Sequence, residues 1–133
     1  MEKHFNFDLV ETFIQDMSSV LRKTKRRSAI CKVIERNFSK ADDAVTKMDQ
    51  NSGQFIDVLA YRDTIMEKFQ TVRALDEDIL NDLVDKDSDI LDMEVELSTE
   101  FSVFYRQKIM RLNNLLKKNR MFLNYQVNFR IFS

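Results

Sequence analysis

Asp85, Asp87 and Asp89, with Glu96 farther on, occupy the first, third, fifth and twelfth positions of an EF-hand-like pattern, the positions from which such a loop offers oxygen ligands to calcium. The rest of the pattern does not follow. Position six, where the tight turn wants glycine, is Ile90, and position eight, normally apolar, is Asp92. A solvated acidic turn is the better account, so no metal ligand is assigned.

Nucleophilic chemistry has equally little to work with. Cys31 is the only cysteine, and the only histidine, His4, is far from it in sequence and near a terminus, so nothing nearby could act as its base. Beside Ile30 and Val33 it reads as a small apolar filler. A glycine-rich phosphate loop is excluded by the single glycine, Gly53, and the many carboxylates lie in acidic stretches, not in apolar settings that would raise one pKa. No catalytic residue and no cofactor site is expected, which makes the chain a non-enzymatic one.

Charge is organised more distinctly. The run Arg22, Lys23, Lys25, Arg26 and Arg27, with Lys32 and Arg36 beyond it, is a candidate contact for nucleic acid or another anion. On a helix these side chains spread around much of the circumference and no aromatic residue interleaves to stack on bases, so a solvated face that also meets acidic parts of the domain is favoured. Between Asp76 and Glu100 there are eleven acidic residues against one basic residue, Lys86; after Glu100 every charged residue is basic. Such blocks either set the register of helices or subunits or simply maintain solubility.

The elements that must position these groups are helical. In 133 residues, enough for one domain, there is no proline and one glycine, while 32% of residues are charged and 44% hydrophobic. The net charge of -1 names no partner. The lone cysteine suits a reducing compartment, no stretch approaches the roughly 20 apolar residues that span a bilayer, and the beginning Met1-Glu2-Lys3-His4 leads into an amphipathic pattern, not a signal segment. An intracellular protein, cytoplasmic or nuclear and without a membrane partner, is expected.

Leu9, Val10, Phe13, Ile14, Met17, Val20 and Leu21 share one helix face, and the period resumes at Ile30, Val33 and Ile34 through Met48. One N-terminal helix over about 8–50 is expected, capped by Asp8, with room for a bend or break at Thr24 to Ser28, where no apolar residue occurs. Asn51-Ser52-Gly53-Gln54 is a turn signal. A second helix over about 55–84 and a third over about 89–118, joined by Asp85 to Asp89 and opened by Ser88 or Asp89, form an antiparallel hairpin. The expected packing seam is Phe55, Leu59, Phe69, Val72, Leu83, Leu97, Phe101, Phe104 and Leu112, with Arg62 and Asp76 as polar exceptions on the second helix. The fold class is all-α, with residues 1–119 as the helical domain. In residues 120–133 the alternation of Leu123, Tyr125, Val127, Phe129 and Ile131 with polar residues reads as a strand, either an edge for another chain or a tail foreign to the domain.

Several short segments also carry a resemblance: Leu21 to Arg27, Tyr61-Arg62-Asp63 with Phe69, Leu75-Asp76-Glu77-Asp78-Ile79-Leu80, Glu94-Val95-Glu96, Glu100-Phe101 and Tyr105-Arg106-Gln107-Lys108-Ile109. In this order, over about Leu21 to Leu116, the chain resembles the helical, Gag-like N-terminal region of Pao (BEL) retrotransposon polyproteins. The resemblance implies a structural role in particle assembly and RNA packaging, with the enzymatic domains of such elements farther along the polyprotein. It carries neither a catalytic signature nor a zinc knuckle, and the alternating tail departs from it in the manner of a decayed copy. The partner expected is a second copy of the chain; the alternatives are a coiled-coil adaptor that binds another helical protein and, less favoured, a nucleic-acid-binding module.

Overall fold

The computed structural model describes the backbone of residues 7–50, 54–86 and 88–132 and the side chains of residues 17–50, 54–86 and 89–118. Three helices account for nearly all of this: α1 (Phe7–Asp49), α2 (Phe55–Leu83) and α3 (Ser88–Phe132). The all-α architecture and the hairpin of α2 and α3 are as the apolar spacing predicts. His4, Asn51 to Gly53 and Asp87 lie outside the described residues.

The ends of the helices differ from expectation in instructive ways. Asp8 is inside α1 and not at its cap. Gln54, with φ -114° and ψ 136°, precedes α2 in extended backbone and makes no side-chain cap bond; its carbonyl instead accepts from Asp57 N at 3.1 Å. The chain turns out of α2 through a hydrogen bond from Lys86 N to the Leu83 carbonyl at 3.0 Å.

The single N-terminal helix is as expected, and the strand is corrected. α1 is not broken at Thr24 to Ser28, because polar residues there keep full helical backbone, and the Thr24 hydroxyl bonds back to the Val20 carbonyl at 2.5 Å. The strand expected in Leu123 to Ile131 is instead the continuation of α3. No glycine or proline interrupts that segment, and Met121-Phe122-Leu123 spoils the alternation. A helix also satisfies its own backbone polar groups, whereas a lone strand cannot.

The pairing of residues defines the topology. Lys23 meets Asp82 and Arg27 meets Asp76, so α1 and α2 run antiparallel; Phe69 meets Tyr105 and Asp76 meets Ser98, so α2 and α3 do too. Arg27 meets Glu94 and Phe38 meets Phe104, which makes α1 and α3 parallel. The most extensive contact is between α1 and α2, while α3 rests mainly on α2 and touches α1 sparingly. Both α1 and α3 are longer than α2, so each continues past one end of it.

Two apolar clusters form the core. The larger joins Ile34, Phe38, Ala41 and Val45 of α1 to Val58, Ile65, Phe69 and Val72 of α2 and Tyr105, Leu112 and Leu116 of α3. The smaller contains Val20, Ile79 and Leu83, with Ile90 and Leu91 against it. Among the described residues, no helix is long and apolar enough to cross a membrane.

Candidate functional site: a charged layer and an open helix face

Between the two apolar clusters lies a charged layer built by all three helices. Arg27 Nη1 donates to Asp76 Oδ1 at 2.8 Å and its Nη2 to Glu94 Oε2 at 2.7 Å. Ser98 Oγ donates to the other Asp76 oxygen, Oδ2, at 3.0 Å. The side chains of Arg27, Asp76 and Glu94 are only 12%, 10% and 13% exposed. The Arg27 fork matches two carboxylates on different helices, a geometry a lysine could not reproduce. Burial works against the Arg27 charge, but the hydrogen bonds and fields of Glu94 and Asp76 outweigh it and hold its pKa above the ordinary value.

Neighbouring groups extend the layer. One turn toward the N-terminus, Lys23 Nζ donates to Asp82 Oδ2 at 2.7 Å in a more open setting, with side chains 29% and 30% exposed. One turn toward the C-terminus, the Cys31 thiol is pushed up to about 11, chiefly by burial and then by the Asp76 carboxylate, with Arg27 opposing. A thiol so raised is a poor nucleophile near neutral pH. Five aromatic rings close the layer on the other side. Phe69 and Tyr105 stack with centroids 3.6 Å apart and planes 8° apart, Phe38 meets Phe104 edge-on at 6.2 Å, and Phe101 lies 5.9 Å from Phe104. Burial raises the Tyr105 pKa.

The structure thus divides the basic run. Lys23 and Arg27 turn inward onto carboxylates, while Arg22, Lys25 and Arg26 are exposed. Of the expected seam, Phe69, Val72, Leu83 and Leu112 are buried, and Phe55, Leu59, Phe101 and Phe104 are half-buried against them. Leu97 is a correction: it is 51% exposed, because the inward face of α3 runs through Glu94, Ser98, Phe101, Tyr105 and Leu112 and passes it by. Asp76, read as an exception on an apolar stripe, is the buried acceptor at the centre of the layer. Among the described residues, no group of three or more His, Cys, Asp or Glu side chains could hold a metal ion.

Away from its packed face, α3 exposes Val103 and Met110, seven residues apart on one side of the helix, while Met93, Val95 and Leu97 are exposed on its flanks. A shallow depression of about 440 Å³ lies beside Met110, lined by Gln107, Arg111, Asn114, Leu115 and Lys118. A second opening, about 810 Å³, lies between the start of α2 and α3, where Phe55, Leu59 and Met66 face Leu116 and Lys117, with the Arg62–Asp63 pair at its rim. No family model, curated protein or solved structure matches this chain.

Proposed function

We propose that this three-helix domain is a non-enzymatic interaction segment that associates with further copies of itself through α3. The observation that carries the reading is the outward face of α3. Val103 is 47% exposed and Met110 64%, seven residues apart on one side of a helix whose opposite side packs on α2 and α1. Large apolar side chains gathered on one open face are the usual mark of an interaction surface. The resemblance to Gag-like regions of Pao (BEL) elements supplies a setting, since self-association is the assembly step such segments perform, inside the cell and without catalysis. Sedimentation equilibrium over increasing concentration tests this. The expected weight-average mass rises above the 15.9 kDa of one chain; a single-chain mass at every concentration overturns it.

A second reading is favoured by the outer face of α1. Arg22, Lys25, Lys32, Arg36 and Lys40 recur there at helical spacing and are all exposed, with Arg26 beside them. A row of cations of this kind suits a phosphate backbone. Salt-sensitive RNA binding that weakens in Arg22→Ala/Lys25→Ala/Arg26→Ala supports it, and no binding at low salt ends it.

A further inference from the structure

The outward face of α3 carries a charge pattern that reverses sign about its middle. On the N-terminal side of Val103 the exposed charged residues are Asp92, Glu96 and Glu100, together with Asp89; on the C-terminal side they are Arg106, Arg111, Lys117 and Lys118. Glu100 and Arg106 stand equally far from Val103, and Glu96 is balanced by Met110 with Arg111 next to it. The charges of the interior ion pairs are different ones: Lys23, Arg27, Asp76, Asp82 and Glu94.

We infer that a second copy of this chain docks on α3 in antiparallel orientation, the two helices crossing at Val103 about a twofold axis. The inference rests on the self-association proposed above and names its surface and geometry. In that arrangement Val103 meets Val103, and carboxylates of each copy come level with cations of the other on the same side of the seam, Glu96 beside Arg111 and Asp92 beside Lys117. The exposed Met93 of one copy falls alongside the depression next to Met110 of the other. A parallel pairing would set carboxylate against carboxylate and cation against cation along the whole helix, which is costly. The twofold arrangement is isologous and closes at a dimer, whereas docking of the acidic half of α3 on the basic face of α1 would be head-to-tail and grow into larger assemblies.

Two variants with opposite charge on this face provide the test, Glu96→Lys/Glu100→Lys and Arg106→Glu/Arg111→Glu, each checked by circular dichroism for unchanged helix content. The wild-type chain is expected to dimerise; each variant alone weakens self-association by about 100-fold, through like-charge repulsion at the crossing. An equimolar mixture of the two regains the dimer mass. Wild-type dimers that persist in both variants overturn the assignment to α3 while leaving self-association standing, and species larger than dimers overturn the twofold. A wild-type chain that stays single at every concentration removes the underlying reading as well.

Discussion

The charged layer and the aromatic layer sit side by side in one three-helix core, and each is contributed to by all three helices. Arg27, Asp76, Glu94 and Ser98 form the first; Phe38, Phe69, Phe101, Phe104 and Tyr105 form the second. The rings gain stability from area removed from water and from stacking, and such contacts tolerate small displacements because any apolar neighbour serves. The charged groups behave in the opposite way. Desolvation offsets most of their attraction, so they add little net stability, but one turn of slippage between α2 and α3 would part Ser98 from Asp76 and leave carboxylates unpaired among apolar side chains. The aromatic layer holds the helices together, and the charged layer selects their register.

The largest effects test this division of labour directly. Phe69→Ala removes the ring stacked on Tyr105 and is expected to cost about 3–5 kcal/mol in urea unfolding. Arg27→Met is expected to cost about as much, roughly 3–5 kcal/mol, because it strands Asp76 and Glu94. The two variants part on rescue. Replacing the whole set, Arg27→Met/Asp76→Leu/Glu94→Leu, should restore stability to wild type or above by about 1–4 kcal/mol, with loss of a single register seen as broadened amide resonances. No apolar replacement of its neighbours restores Phe69→Ala. A triple variant as unstable as Arg27→Met would show that the charged layer holds the fold and does more than align it.

The aromatic layer was legible in the sequence and the charged layer was not, for a physical reason. Phe69, Val72, Tyr105 and Leu112 lie at helical spacing, and burial of apolar residues at that spacing needs no knowledge of partners. Asp76 interrupts the same stripe, and Arg22 to Ser28 interrupts the stripe of α1, so both look like defects. Only when α1 and α2 are laid antiparallel do Arg27 and Asp76 fall level with each other and with Glu94. A signal was present in the opposition of a basic gap on one helix to an acidic one on another. Leu97 failed for a related reason: α3 is apolar on more than one face, and spacing alone does not say which face turns inward. The alternating tail misled because period two outweighed the lack of any partner strand within the chain, whereas a helix with no glycine or proline to stop it satisfies its own backbone groups.

Cys31 stands at the boundary of the two layers and reports on how tightly they close. Its folded pKa is raised from 9.0 to about 11. The associated stabilisation is complete below about pH 9 and is lost as the pH rises through about 11, since the unfolded chain releases this proton first. At pH 8 the folded thiol carries about 100-fold less thiolate than an unperturbed one, so alkylation by iodoacetamide should be slower in buffer than in denaturant by about that factor. Equal rates in the two media would mean that the core around Cys31 stands open.

The smallest effect is expected at Lys23, and its smallness is informative. The Lys23–Asp82 contact at 2.7 Å is as short as that between Arg27 and Glu94, yet its side chains are more than twice as exposed. Length alone would rank the two equally; exposure ranks them far apart, because water screens the first pair and solvates Asp82 once Lys23 is gone. Lys23→Met should therefore cost no more than about 1 kcal/mol, and 1 M salt should erase most of the difference from wild type. The loss in Arg27→Met should persist in salt, because the stranded Asp76 and Glu94 are out of reach of mobile ions. If Lys23→Met proved as damaging as Arg27→Met, the register of α1 on α2 would be set by the whole ladder of ion pairs and not by the buried fork alone.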